Sequence, residues 1–457
     1  MRKNILSILA FCFFGISTLP AQNLPDGGAG EVLTLEICVK TALENNASIK
    51  KARLDERSAR FQKKEIIGSG LPQLKAYGNY NNFLDIYPQG IPGGLFDPDA
   101  DPNQINVIAF GVPQSVRGGL ELTQLVYSQS YLVGLKAAHT AEEFYHFLSL
   151  QTEDDVIYDV VMNYYNVMAA ELQMESLKAN HDKLSRLKTI IQSQVDNDLA
   201  RRIDLNRIIV NMTTLETEMD NLEIGVEQRT NYLKILMGIP VDLPVKLAPE
   251  GLDLNSKVYQ SITLDADISN RYDLKVMDKR KELNKLDIKN TMAGYYPTLA
   301  AFMDLNYNAF SNRFDFLAAS HTWYRGTLLG VQLNIPVFDG FQRKNKIAQA
   351  KVTSEQLEWD ERVMRETVNA EYLNATKKMN NSLKGLLAQK DNLALSEQVF
   401  AQTEGLYKEG MAPLTDLLDS ELALREARSA YYRQAVNVKT AQADLLKSTG
   451  NIKNLIN

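Results

Sequence analysis

In four short stretches of the chain, apolar and polar positions alternate with a period of two. In the later pair, Leu299, Ala301, Met303, Leu305 and Tyr307 fall on one side, with Ala300, Phe302, Asp304, Asn306 and Asn308 on the other. Leu329, Val331, Leu333 and Ile335 then alternate with Gly330, Gln332 and Asn334. The earlier pair sets Leu74, Ala76 and Tyr80 against Lys75, Tyr77 and Asn79, and Leu120 and Leu122 against Glu121 and Thr123. This predicts strands at about 71–83, 117–127, 297–309 and 327–338. On its own the pattern fits a half-buried strand of a soluble sheet or a strand of a membrane barrel.

After each strand pair the period becomes helical. Residues 128–197 and 340–409 contain no proline, and Leu373, Leu383, Leu387, Val399 and Leu406 recur in steps built from three and four. Each stretch would run about 105 Å as one helix, in coiled-coil rather than globular packing. The returning segments, 200–238 and 412–450, span about 58 Å each, and the helices expected at 49–67 and 274–292 add about 28 Å each. A short pair stacked end to end therefore nearly matches one long helix. The predicted plan is long helical hairpins, with strands clustered at one end and turns near 197–200 and 409–413 at the other.

The same order occurs twice. Gly70-Leu71-Pro72-Gln73-Leu74 resembles Tyr295-Tyr296-Pro297-Thr298-Leu299 at an offset of 225, and Leu233–Gly238 (LKILMG) resembles Leu445–Gly450 (LLKSTG) at 212. The offset falls between Pro72 and Leu122, so the first copy carries an insertion, Asp85–Gln114, whose Pro, Gly and Asp content predicts an extended surface loop. The repeats are placed at 22–238 and 269–457, joined by a Pro-containing connection at 239–268.

Four strands cannot close a membrane barrel, for which about eight is the minimum. Two chains would supply eight strands, filled by their own side chains; three would supply twelve and leave a lumen. An open four-stranded sheet with an apolar face is an aggregation hazard, so the pattern implies an oligomer, a trimer by preference.

Residues 1–21 read as an export signal: Arg2-Lys3, the apolar run Ile5–Ile16, then Leu19-Pro20-Ala21 before Gln22. Cys38 is then the one mature cysteine, in apolar surroundings that predict a buried structural thiol. With 50 Lys+Arg against 56 Asp+Glu, the net charge of −6 argues against a nucleic-acid partner. HExxH, GxSxG, P-loop and CxxC patterns are missing from the sequence, and no enzyme or cofactor is expected. His139, Glu143 and His146 share a helix face at a spacing that suits a metal, but a long solvated helix produces such triplets by chance.

Motifs recur in order along the chain: the opening Leu33-Thr34-Leu35-Glu36 with Ala42–Asn46, the Pro72 and Pro297 strand entries, and Leu333–Gly340 (LNIPVFDG). The most specific is Tyr407–Asp419 (YKEGMAPLTDLLD), followed by Ala423, Ala427, Ala430 and Gly450. Together these segments resemble the TolC family of outer-membrane efflux proteins. The resemblance implies a mainly α chain with a membrane β-barrel, assembled as a homotrimer: a twelve-stranded barrel in outer-membrane lipid on a long α-helical coiled-coil tunnel in the periplasm. It implies a passive exit duct that reaches an inner-membrane pump through a periplasmic adaptor protein.

Carried over residue by residue, the resemblance puts carboxylate rings that narrow the entrance on Asp416 and Asp419. At i and i+3 these share a helix face, and three copies would raise a field favouring cations. Their first-copy equivalents, Asp204 and Arg207, become possible gate contacts, with Asp419–Arg207 as a closing latch. The turns Asp198, Leu199 and Ala200, and Gly410, Met411 and Ala412, would face the adaptor. The first turn departs from the family's glycine, having Asp198 in its place. Tyr77, Tyr80, Tyr127, Tyr307, Trp323 and Tyr324 are candidates for an interfacial girdle. The competing reading is an exported periplasmic coiled-coil scaffold or adhesin whose strands form a soluble sheet.

Overall fold

The computed structural model describes residues 32–92, 105–109, 111–248, 268–318 and 320–455. The expected export signal lies outside the described residues. In chain order the elements are β1 (Val32–Leu33), α1 (Leu35–Asn45), α2 (Ala47–Ser69), β2 (Gln73–Asn82), β3 (Pro88–Pro92), β4 (Ile105–Ala109), β5 (Gln114–Ser128), α3 (Gln129–Asp196) and α4 (Arg202–Met237). There follow β6 (Lys246–Leu247), α5 (Tyr272–Ala293), β7 (Thr298–Ser311), β8 (Tyr324–Asn334), α6 (Gln342–Lys408) and α7 (Leu414–Ser448).

The helices begin and end where local chemistry dictates. Ser128 caps α3 by accepting from the Tyr131 amide, and Asn46 caps α2 by accepting from the amides of Ser48 and Ile49. Gly238 closes α4 with φ at 69°, and Gly450 follows α7 with φ at 71°. Their amide bonds match at the offset of 212: Ile239 to Lys234 and Asn451 to Leu446, both i to i−5. A Cβ on Gly238 would sit 2.4 Å from the Asn45 carbonyl oxygen, so glycine is required there by space as well as by φ.

α3 and α6 contain 68 and 67 residues, about 100 Å each at helical rise. Near the strands the helical wall runs α2, α3, α5, α6; at the far end it runs α4, α3, α7, α6. The main apolar core lies midway along the helices, where Val160, Tyr164 and Met168 of α3 meet Val39, Ile49, Leu233 and Ile452. There β1 pairs in parallel with β6, and the Tyr164 hydroxyl donates to the Ala248 carbonyl at 3.1 Å. Cys38 is fully buried in this core, and burial pushes its thiol up to about 12, as suits a structural thiol.

The four long strands form one antiparallel sheet in the order β2–β5–β7–β8. Its register sets Leu74, Leu122, Met303 and Leu329 side by side, and one step on Lys75, Glu121, Asp304 and Leu328. The strands depart from prediction in two respects: the last ends at Asn334, ahead of Pro336, rather than at 338, and the insertion at Asp85–Gln114 is not wholly loop. β3 and β4 pair within it as an antiparallel hairpin, because Ile91, Ile105, Val107 and Ile108 supply β-forming residues amid the Pro and Gly.

Candidate functional site

The helical turns farthest from the sheet are built alike. The Gly410 amide donates to the Tyr407 carbonyl at 3.0 Å and the Met411 amide to Leu406 at 2.8 Å. In the first repeat the Asp198 amide donates to Val195 at 3.0 Å and the Leu199 amide to Gln194 at 2.7 Å, each partner 212 residues earlier. Gly410 has φ at 71° and Asp198 at 60°. The aspartate thus occupies the left-handed position that glycine fills in the second turn, a conformation Asp tolerates better than most residues. Leu199 and Met411 are exposed at the tips.

Below the tips, Ile191, Leu205, Ile208, Leu414, Leu417 and Leu418 form one apolar cluster that joins the ends of both hairpins. Burial, and then the nearby Asp204 carboxylate, push the Tyr407 phenol upward. Asp416 and Asp419 are both exposed on the face of α7 opposite Leu417 and Leu418, one turn apart as their spacing predicted. Pro413 is the N-cap residue of α7, so neither Thr415 nor the aspartates cap it. Arg207 lies 3.8 Å from Asp204 on its own helix. Among the described residues, no ion pair joins it to Asp419 within one chain.

The sheet has two chemically distinct faces. One carries Leu74, Leu120, Leu122, Leu305, Leu329, Val331 and Leu333; Leu329 is 77% exposed and Val331 67% exposed, so this apolar face is left uncovered there by the described residues. From Val116 to Tyr127, allowing for the bulge after Leu125, this face extends about 33 Å along the strand, or about 25 Å along a membrane normal at a tilt of about 40°. That matches the apolar band of a membrane barrel.

The opposite face is polar and locked by hydrogen bonds. The Tyr77 hydroxyl donates to Asp304 Oδ2 at 2.7 Å and accepts from Arg117 Nε at 3.2 Å. The Arg117 guanidinium lies 3.5 Å from Asp304 Oδ1, which also accepts from Asn306, itself an acceptor from Asn308. Lys75 pairs with Glu121 at 3.0 Å. Tyr77 therefore belongs to this polar face rather than to a lipid-facing girdle, and Tyr324, in register with Asn308, shares that face. Tyr80, Tyr127 and Tyr307 lie on the apolar side. The triad of Tyr77, Arg117 and Asp304 was not recognised from the sequence, because its partners come from three strands whose register only the fold defines.

The sheet and the helical wall both end in unpartnered edges. Among the described residues, β2 and β8 each have one neighbouring strand. On the wall, Leu54 and Phe61 of α2 are exposed at a spacing of seven, as are Val352, Trp359, Leu373 and Leu387 of α6 at multiples of seven. These are heptad stripes with no helical partner among the described residues.

The histidine triplet does not converge. His139 lies 3.7 Å from Glu143, whereas His146 turns to Glu56 at 3.4 Å. Among the described residues, no cluster suited to a metal ion is found. No helix among them is long and apolar enough to cross a membrane.

Residues 264–451 match the family described as outer membrane efflux protein. No curated protein matches the chain in sequence. In fold the chain is similar to the CmeC outer membrane channel of Campylobacter jejuni (15% identity, TM-score 0.70, covering 92% of this chain and 86% of that one). It is also similar to the outer membrane protein VceC of Vibrio cholerae (13%, 0.69, 91% and 96%). The open state of the Neisseria gonorrhoeae MtrE outer membrane channel gives 19% identity and a TM-score of 0.69, with 92% and 89% covered. At these identities the likeness establishes the fold.

Proposed function

We propose that this chain, whose second repeat belongs to the outer membrane efflux protein family, is the outer-membrane exit duct of a tripartite efflux system. It works with a periplasmic adaptor and an inner-membrane pump. The observation that carries this reading is the four-stranded sheet: apolar and exposed on one face, polar on the other, and open at both edges.

A lone sheet of this kind is stable neither in water, where its exposed apolar face and open edges invite aggregation, nor in lipid, where its edge amides and carbonyls lack partners. Pairing β8 of one copy with β2 of the next satisfies both edges, and three copies close twelve strands around a lumen. The helical edges close in the same sense. Phe61 lies eight residues from the strand-side end of α2 and Val352 ten residues from that of α6, so they sit at similar depth. Leu54 and Trp359 likewise meet at similar depth in this scheme, continuing the α2–α6 seam between copies.

The duct performs no chemistry of its own. Its work is to hold a continuous aqueous path while the pump supplies the driving force. At the far end, Asp416 and Asp419 of three copies would place six carboxylates around the axis, a field that favours cations and opposes close approach of the helix ends. The tips at Asp198–Ala200 and Gly410–Ala412 are the surfaces offered to the adaptor, and the Asp204–Arg207 pair stands beside the entrance.

Single-channel conductance of the detergent-purified trimer in planar bilayers tests this reading. Small cation-selective steps that enlarge and lose selectivity in D416A/D419A support it. Folded trimers that never conduct would overturn it and favour a periplasmic scaffold.

A further inference from the structure

The inference concerns the polar face of the sheet and rests on the reading of this chain as a duct, in which that face lines the barrel. Its described strand residues include four charged ones: Lys75, Arg117, Glu121 and Asp304. Two of each sign leave no net charge. The balance is built, because Glu121 and Asp304 stand directly opposite each other on β5 and β7. Like charges in that position repel and destabilise the pair unless each is neutralised. Each has a separate cation: Lys75 at 3.0 Å from Glu121, and Arg117 at 3.5 Å from Asp304.

The two pairs are held differently. Lys75 is a single exposed ammonium reaching across one strand pair. Arg117 is fixed by a closed triangle with Tyr77 and Asp304 that ties β2, β5 and β7 together. The geometry requires small residues beside it. A Cβ on Gly119 would sit 2.5 Å from the Leu305 carbonyl oxygen, and one on Gly326 2.6 Å from Asn306 Oδ1. These glycines leave room for the network to lie flat against the wall.

We infer that Arg117, alongside the Lys75–Glu121 pair, keeps the barrel lumen electrically neutral, so that the barrel passes cargo of either sign and charge selection is confined to the helical entrance. Arg117, itself half exposed, acts on what passes by cancelling the charge of a carboxylate set into the lumen face. Threefold repetition makes its loss a change of three charges in a confined aqueous passage with low-dielectric walls, where fixed charge governs local ion concentration.

The test is reversal potential in a KCl gradient, using purified trimers in a D416N/D419N background so that the entrance carries none of its aspartate charge. The parent is expected to be nearly non-selective. Arg117→Gln is expected to raise the potassium-to-chloride permeability ratio by about threefold or more, and Asp304→Asn to shift it the opposite way. Arg117→Lys, which keeps the charge while losing the guanidinium fork, should retain the parent ratio, and R117Q/D304N should return to it. A purely structural tie would change thermal stability in these variants without moving the ratio. Conducting R117Q and D304N channels with the parent ratio would overturn the inference, as would strong sign selectivity in the parent. Should R117Q fail to assemble, the D304N shift decides alone. A folded parent that does not conduct would defeat the duct reading itself, a separate outcome.

Discussion

Asn46 and Arg271 stand at the same place in the two repeats, 225 residues apart, and reach the same backbone position by different chemistry. Asn46 Nδ2 donates to the Leu236 carbonyl at 2.7 Å, and Arg271 donates to the Ser448 carbonyl at 3.4 Å, the acceptors being 212 residues apart. Each ties the start of a short helix to the end of a returning one. Asn46 needs nothing more, but the buried Arg271 charge also holds Asp273 and Glu371, each at 2.6 Å.

The two ties should therefore fail by different amounts. Asn46→Ala loses a cap and one buried hydrogen bond, about 1–2 kcal/mol. Arg271→Met leaves Asp273 without its partner and should cost roughly 3 kcal/mol. Thermal unfolding followed by helical circular dichroism checks the order. Equal melting temperatures for the two variants would contradict it.

Asp154 should make stability depend on pH. Burial pushes its carboxyl up to about 6, and its Oδ1, 3.8 Å from Lys453 Nζ, accepts no hydrogen bond. The folded state thus holds a proton that the unfolded chain releases near pH 4. Stability falls as pH rises from about 4 to 6 and stays at the lower level above that. Asp154→Asn should raise stability at pH 7.5 by on the order of 1–2 kcal/mol and change little at pH 4. A variant less stable than the parent at pH 7.5 would show that the charge is welcome there.

The left-handed turn residues predict opposite effects of removing and adding a side chain. Asp198→Gly should leave the first turn unharmed or firmer, whereas Gly410→Ala should loosen the second by about 1 kcal/mol. Amide hydrogen exchange at Leu199 and Met411, whose amides close the two turns, reports each locally.

The two faces of β8 should differ in their tolerance of charge. Leu329→Arg places a cation on the apolar face near mid-strand and should cost about 2–4 kcal/mol, seen as lost membrane assembly. Gln332→Arg, on the polar face, should assemble normally. Equal yields of folded trimer from both would argue against a lipid-facing surface.

Much of this fold is legible in the chain because its periods are long and repeated. The alternation around Leu299–Asn308 and the proline-free stretches place four strands and two long helices within a few residues of where they lie. Gly238 and Gly450 mark the same turn at a constant offset. What escaped has short or distant causes. β1 and β6 are two residues each and stand more than 200 positions apart, too brief for any period. The β3–β4 hairpin hides in a Pro- and Gly-rich insertion. Arg117 meets Asp304 only through a register that an irregularity between Leu125 and Tyr127 shifts. Asp416 and Asp419 were found by family resemblance; spacing alone says only that they share a face. Asp198 looked like a departure from a glycine turn, yet its backbone adopts the glycine conformation.

The central claim, that three copies close one barrel through β2 and β8, is tested by cysteine cross-linking on the apolar face. Cys38 is buried, so introduced cysteines react selectively. Ala76→Cys on β2 is combined in turn with Thr327→Cys, Leu329→Cys or Val331→Cys on β8. Within one chain β5 and β7 separate these strands, about 14 Å at normal strand spacing, beyond the reach of a disulfide. Any cross-link must therefore join neighbours. The account predicts that at least one pair oxidises in the membrane to a ladder of two and then three chains that ends at the trimer. A ladder ending at the dimer, one running past the trimer, or no cross-link at any of the three positions would contradict it.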